Sequence, residues 1–255
     1  DMEHVMTFDL REHDGTLKTV CNEMNAQGQN MSDTPKISEV CDESHPHYDL
    51  WQAGILSELV GLELNKVLKM IPIDDLTYTE RKHLLPSQII LKMKRSTDAS
   101  RTPTRAKARW VVGGHRAVRG YHHQESAAKG CEAATVRIMA TIAASSNKLL
   151  MGTDITQAYT SAPLDPDNPN RIIIRLPKQL EFKDDRGVPV VAQLLMNTYG
   201  LVDGGFQFIK KLDGHLAKMG MEPSRNDHNL HRRYNEHGEI QLYAGYSDDG
   251  TGLFS

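Results

Sequence analysis

Tyr246-Ser247-Asp248-Asp249-Gly250 places two adjacent carboxylates directly after an apolar run. Adjacent like charges repel, so a turn that concentrates them needs solvent or a cation to offset the repulsion. An isolated Asp-Asp-Gly reads most simply as a solvated turn, and Asp74-Asp75 and Asp184-Asp185 take that reading. A third acid changes the balance, because Met151-Gly152-Thr153-Asp154 ends a second apolar run in a single carboxylate. If Asp154 lies beside a hairpin carrying Asp248 and Asp249, the three offer the hard oxygen donors that Mg²⁺ takes. Two such ions can activate a hydroxyl and stabilise a pyrophosphate leaving group.

A phosphate-bearing substrate also needs cations from the protein. The net charge of −3 hides a strong asymmetry. Residues 1–80 hold 5 basic and 16 acidic residues, residues 81–120 hold 11 and one, and residues 121–255 hold 14 and 16. A forty-residue basic block inside an acidic chain is a candidate polyanion contact, with a solvated face as the plain alternative.

Other groupings of chemically capable residues are weaker. Cys41-Asp42-Glu43-Ser44-His45-Pro46-His47 gathers soft ligands but lacks the second Cys/His pair of a structural zinc site. His122, His123, His228 and His231 are expected on the surface, and Asn30-Met31-Ser32 fits a glycosylation acceptor with no other sign of secretion. Three widely spaced cysteines, Cys21, Cys41 and Cys131, are not a disulfide framework and favour a reducing compartment. No run approaches the roughly 18 apolar residues of a membrane helix, and no secretory leader is visible. The chain is therefore expected to be intracellular, in a cytoplasmic particle or the nucleus, and not secreted. Its lack of an initiator Met suggests a piece cut from something longer.

The elements that would position the acids follow from periodicity. Residues 1–44 are polar and aperiodic and read as a flexible lead-in or linker, with a small hairpin around Asp14-Gly15. Leu50–Leu68 has helical spacing and is expected to end near Pro72. Ile89–Lys94 and Ala106–Gly113 read as a hairpin with a long tip over Arg95–Arg105. Glu132–Ser146 predicts a helix with Val136, Met139, Ala140 and Ala143 on one face. Lys148–Ala158 and Arg171–Leu176 read as strands, and Phe206–Met219 as a helix with Gly220 at its C-cap. Glu239–Tyr246 is a strand entering a turn at Asp249-Gly250, with Ile240 and Leu242 on one face and Tyr243 and Ala244 on the other. This order predicts an α+β fold with helices on one face of a mostly antiparallel sheet.

The same pieces resemble the reverse transcriptase of copia-type long-terminal-repeat retrotransposons. The likeness runs from about Trp51 to the end, some four-fifths of the chain. It is carried by Asp49-Leu50-Trp51-Gln52 through Asn65-Lys66-Val67, Ile90-Leu91-Lys92-Met93-Lys94-Arg95, Lys107-Ala108-Arg109-Trp110-Val111-Val112-Gly113-Gly114, Ala134-Thr135-Val136-Arg137, Thr153–Tyr159, Thr198-Tyr199-Gly200-Leu201 and Tyr246-Ser247-Asp248-Asp249. Each is short, but their shared order and spacing make the set specific.

The resemblance implies a right-hand polymerase fold. Fingers would span about 45–130 and a partial palm with a ferredoxin-like antiparallel sheet about 131–255, with the thumb absent. It implies RNA-directed DNA synthesis from deoxynucleoside triphosphates on an RNA or DNA template with a primer. Two Mg²⁺ ions, or Mn²⁺, would be held by Asp154 and Asp248 as main ligands, with Asp249 in a lesser role and the Ile155 carbonyl completing one shell. Tyr159 would lie under the incoming sugar and exclude a 2′-hydroxyl. Lys107 or, better suited to bidentate contact, Arg109 would meet the triphosphate. Lys92, Lys94 and Arg95 would track the template backbone. The family's gene order adds integrase and ribonuclease H as the rest of a Pol polyprotein. The chain departs from the pattern at Ser247, where the family usually has Val. It departs again at Val202-Asp203-Gly204-Gly205-Phe206, where the family has Lys-Gln-Ala-Pro-Arg, and at Glu132. The alternative is a diverged, catalytically inactive nucleic-acid-binding remnant of the same domain.

Overall fold

The computed structural model describes residues 33–254, apart from 46, 100, 101, 127, 129 and 147. The hairpin expected around Asp14-Gly15, Cys21 and the Asn30-Met31-Ser32 sequon lie outside the described residues. In chain order the elements are α1 (Ile37–Val40), α2 (Tyr48–Leu64), β1 (Leu68–Pro72), α3 (Tyr78–Lys82), β2 (Ser87–Arg95), β3 (Pro103–Val112), α4 (Ala133–Ser145), β4 (Leu149–Asp154), α5 (Ala158–Ser161), β5 (Ile173–Ile174), β6 (Val190–Leu194), α6 (Gly204–Lys218), β7 (Glu222–Pro223), β8 (Leu230–Tyr234), β9 (Ile240–Tyr246) and β10 (Asp249–Phe254). They form two compact units. The first runs to His122 and resumes over Asn168–Leu201; the second comprises His123–Asp167 and Val202 onward.

In the first unit, β2 and β3 pair as an antiparallel ribbon with Ile89 opposite Trp110 and Met93 opposite Ala106. Alternation makes one face apolar: Ile89, Leu91, Met93, Ala106, Ala108, Trp110 and Val112 are all buried. Helix α2 covers that face, burying Trp51, Ile55, Leu59 and Leu62. The close approach depends on small residues. A Cβ at Gly54 would sit 2.8 Å from the Ala106 carbonyl oxygen. The part of the 1–44 lead-in that is described is not a loose tail, because Ile37 and Val40 of α1 are buried. A three-stranded antiparallel sheet, β1-β6-β5, completes the unit around Ile71, Leu76, Ile173 and Val191. The strand expected over Arg171–Leu176 is only the two residues of β5.

Helix α2 ends well before Pro72. Lys66 adopts φ +50°, and the Lys66 and Val67 amides bond back to the Glu63 and Leu62 carbonyls. That is a Schellman termination with Lys in the left-handed position Gly usually holds, and it turns the chain into β1. Lys66→Gly is expected to raise the unfolding free energy by about 1 kcal/mol in denaturant titration, since the left-handed well costs a side chain roughly that much.

A second local device sits at α3. Thr77 and Glu80 form a reciprocal capping box, and the other Glu80 oxygen accepts from Arg171 Nε at 2.7 Å. The Arg171 bond is the main reason that the Glu80 carboxyl drops from 4.5 to about 2. A depressed carboxylate pKa stabilises the fold above its unfolded value and loses that stabilisation as pH falls toward the folded one. Arg171 is partly exposed, so the fully ionised pair is worth about 2 kcal/mol rather than the larger value of a sealed one. Glu80→Gln should therefore destabilise by that amount at pH 7. The gap between variant and parent should close between pH 4.5 and about 2 when unfolding is followed across pH.

The second unit is a five-stranded antiparallel sheet in the order β4-β10-β9-β8-β7. Helix α4 packs Met139 and Ala143 on Leu242, Ala244 and Leu253. Helix α6 packs Leu216 on Tyr243. Residues 242 and 244 alternate with 243, so the two helices cover opposite faces, not the single face expected, and Ala244 sides with Leu242. Ala140 is exposed, and Thr135 takes a place on the buried side of α4. Asp227 caps that helix, accepting from the Glu132 amide at 3.0 Å and from the Thr135 hydroxyl. Helix α6 ends as predicted at Gly220 (φ +75°), with Gly220 and Met221 amides bonding back to Ala217 and Leu216.

Candidate active site

Strand β4 lies antiparallel to β10 with Asp154 directly opposite Asp249. Cross-strand partners project from the same face, so these two carboxylates share one side of the sheet. Asp248 precedes Asp249 in the turn, and its carbonyl accepts from the Ile155 amide at 2.8 Å, which carries the β4 junction one residue past the strand. Three acids from distant stretches of sequence thus occupy one corner of the sheet. Asp154 and Asp249 are exposed and Asp248 is half-buried. Like charges directly opposite one another are destabilising in a sheet, and a divalent cation offsets that repulsion. Hard carboxylate oxygens, with the Ile155 carbonyl close by in sequence, are a donor set that fits Mg²⁺. Among the described residues no three His, Cys, Asp or Glu side chains are gathered closely enough to hold a metal as they stand.

The turn is Ser247-Asp248, not Asp249-Gly250, because Tyr246 pairs with Asp249 and both Asp249 and Gly250 are already in β10. Ser247 takes φ +55°, the left-handed first position of a tight hairpin turn. Gly250 has another purpose: a Cβ there would overlap the Tyr243 hydroxyl. The predicted strand over Lys148–Ala158 stops at Asp154, and Gln157 (φ +54°) turns the chain into α5. Leu149, Leu150 and Met151 of β4 are exposed. Tyr159, on α5, shares a 2.7 Å hydrogen bond with Ser247 Oγ, and its ring lies 6.2 Å from that of Phe208.

Asp203 precedes α6 and is only 2% exposed. Burial pushes its carboxyl up from the ordinary value, partly opposed by its own backbone amide and by His123. The acid at this departure from the resemblance is therefore a buried one.

The first unit carries the cationic ribbon. On the face away from α2, Lys92 stands opposite Lys107, Lys94 opposite Arg105 and Ile90 opposite Arg109. Lys92 and Lys94 are exposed, while Lys107 and Arg109 are half-buried. Two directly opposed pairs of like charge have a standing electrostatic cost that bound phosphates offset. Arg95 differs from its neighbours, because Asp33 takes its guanidinium at 2.7 Å. Arg109 lies over the Tyr199 ring at 5.0 Å. Glu58 of α2 accepts from the Trp110 amide at 2.8 Å on the outer edge of β3. Burial raises its carboxyl pKa in spite of that bond and the charges of Arg109 and Lys107.

Sequence reasoning missed Glu58, although an acid spaced three and four residues from Ile55 and Leu62 on an apolar helix face is a visible signal. It also misplaced two histidines. His122 is buried, accepts from the Val118 amide at Nδ1 (2.9 Å) and donates from Nε2 to the His83 carbonyl (2.8 Å). His231 is buried with Nε2 3.3 Å from Asp213. His228 is exposed as expected.

Residues 79–251 match the family described as reverse transcriptase (RNA-dependent DNA polymerase). The chain belongs to that family. The matched stretch of the reverse transcriptase domain takes in both strands of the ribbon, the Thr198-Tyr199-Gly200 segment and all three aspartates. The domain is that of an RNA-directed DNA polymerase, an activity that implies a nucleic-acid template, a primer and deoxynucleoside triphosphates. No curated protein matches the chain. Among the described residues of the reverse transcriptase domain no helix is long and apolar enough to cross a membrane.

Proposed function

We propose that this chain is the fingers and palm portion of a copia-type retrotransposon reverse transcriptase, and that it extends a primer by nucleotidyl transfer at Asp154, Asp248 and Asp249. The observation that carries the reading is the register that sets Asp154 against Asp249, with Asp248 tied to the same corner through Ile155. Asp154 and Asp248 would be the principal ligands of two Mg²⁺ ions, with Asp249 and the Ile155 carbonyl assisting. When bound, such ions supply acidity to the primer hydroxyl and offset charge on the departing pyrophosphate.

The chain's own residues do the rest. The carboxylates fix where the reacting phosphate sits, and positioning of this kind is the larger part of catalysis in phosphoryl transfer. Tyr159 presents its ring beside the hairpin that bears Asp248, where a bulky edge selects against a 2′-hydroxyl. Arg109 and Lys107 bind triphosphate oxygens, Arg109 being held by the Tyr199 ring. Lys92 and Lys94 track template phosphates. Arg95 contributes only where phosphate competes with Asp33.

The test is primer extension on an RNA template with deoxynucleoside triphosphates and Mg²⁺ or Mn²⁺, using the whole chain. Extension that needs the divalent ion supports the proposal. Salt-sensitive nucleic-acid binding without extension would favour the inactive remnant.

A further inference from the structure

Ser247 combines two features that a surface turn residue does not need. It holds a left-handed backbone, at φ +55°, without being Gly or Asn. Its hydroxyl reaches across 88 residues of sequence to share a 2.7 Å hydrogen bond with the Tyr159 hydroxyl. Non-glycine residues persist in such a conformation where surrounding contacts over-determine it, and these places cluster at functional sites. Here one such contact joins two half-buried side chains, at the corner that carries Asp154, Asp248 and Asp249.

The bond has a mechanical consequence. Tyr159 is backed by Phe208, at 6.2 Å between ring centroids, and Gly205 lies beside its Cε1 edge, where a Cβ would make ordinary contact at 3.8 Å. These contacts lie on the α6 side of the ring. The Ser247 bond holds the hydroxyl end. Together with the Ile155 amide on the Asp248 carbonyl, it fastens the hairpin tip to the β4–α5 corner at two points. The distance between the Tyr159 ring and the Asp248 carboxylate is thereby fixed by a covalently short path: Ser247 is the residue immediately before Asp248.

We infer that Ser247 is a positioning residue that, through the Tyr159 hydroxyl, sets how strictly the site rejects ribonucleotides. This rests on the polymerase reading above and deepens it. An apolar residue at position 247 would leave the Tyr159 ring to pivot, and a pivoting ring admits a 2′-hydroxyl more readily.

The experiment is single-nucleotide primer extension with a deoxynucleotide and the matching ribonucleotide. It uses wild type, Ser247→Gly, Tyr159→Phe and the double variant. Glycine suits the left-handed turn and removes the hydroxymethyl group, while phenylalanine keeps the ring and removes the other end of the bond. The ratio of kcat/KM for deoxynucleotide over ribonucleotide should fall about fivefold in each single variant, the factor that one neutral hydrogen bond confers. The change should reside mainly in KM. The double variant should be no worse than either single one, and Ser247→Asn, which tolerates the turn and keeps a hydrogen-bonding group, should recover part of the ratio. If wild type extends primers and both single variants discriminate as it does, the inference fails and the polymerase reading stands. A Ser247→Gly protein that melts lower and loses extension altogether would make Ser247 a structural residue and overturn the inference. Absence of extension by wild type itself would remove the polymerase reading, and this inference with it.

Discussion

Asp248→Asn is expected to reduce primer extension by at least about 10²–10³-fold, the loss usual when one preorganised charged group is removed from a transition-state site. The substitution keeps the shape of the side chain and its place in the turn. It removes one negative charge from a corner where Asp154 and Asp249 already oppose each other. Folding should therefore change by no more than about 0.5 kcal/mol, and toward greater stability, because like-charge repulsion is relieved. The nucleic-acid contacts proposed for Lys92 and Lys94 belong to a different unit, so binding should keep its salt dependence. The informative companion is Asp249→Asn. The family likeness gives Asp249 the lesser part, yet the register places it, and not Asp248, opposite Asp154. If Asp249→Asn is the more damaging of the two, the principal ligand pair is Asp154 with Asp249. If neither variant loses activity while wild type extends primers, the carboxylate corner is not where the chemistry occurs. Raising Mn²⁺ should restore part of the activity of the variant that removes a metal ligand, because a lost anionic ligand weakens affinity before it abolishes the site.

How far the sequence foretold this site follows from what kinds of signal it contained. Strict alternation in Ile89-Ile90-Leu91-Lys92-Met93-Lys94 admits one face for the core, so the ribbon and its cationic side were legible at once. Gly220 marked the end of α6 because glycine alone takes the left-handed C-terminal position cheaply. The same logic misled at two of the three described places where a non-glycine residue holds that conformation. Lys66 ends α2 and Ser247 opens the β9–β10 turn, and neither residue type announces a positive φ. The Asp249-Gly250 pair supplied a false turn signal, since its glycine answers to the crowding Tyr243 hydroxyl and not to backbone curvature. Buried histidines were equally silent. His122 and His231 each make specific contacts inside the protein, and composition by itself places such residues outside. The three aspartates were visible as candidates, but their register depends on pairing β4 with a strand about a hundred residues away, which only the folded sheet specifies.

Gly200→Ala is expected to destabilise the first unit by more than about 3 kcal/mol, beyond the range of an ordinary substitution. Two separate penalties meet at this position. Gly200 has φ +89°, where an L side chain is strained by about 1–2 kcal/mol. A Cβ there would also overlap the Val112 carbonyl oxygen and crowd Val111 Cγ1 at 2.7 Å. The backbone cannot step aside, because the Val112 amide donates to the Tyr199 carbonyl at 2.8 Å and the Thr198 hydroxyl donates to the Trp110 carbonyl at 3.4 Å. Those two bonds, with Glu58 on the Trp110 amide, close the outer edge of β3, which would otherwise be an open strand edge. Gly187→Ala is the matched control: its φ is +77°, but nothing lies within 4 Å of the added carbon, so only the torsional part, about 1 kcal/mol, should appear. Denaturant titration of both variants separates the two penalties. A Gly200→Ala loss no larger than that of Gly187→Ala would mean that the Thr198–Gly200 segment can move off β3. The consequence reaches the proposed substrate contacts, because Tyr199, which stacks under Arg109, is fixed by that same segment. A chain that tolerates alanine at 200 should then also bind phosphate less tightly through Arg109, whereas one that holds the segment rigid loses fold and phosphate contact together.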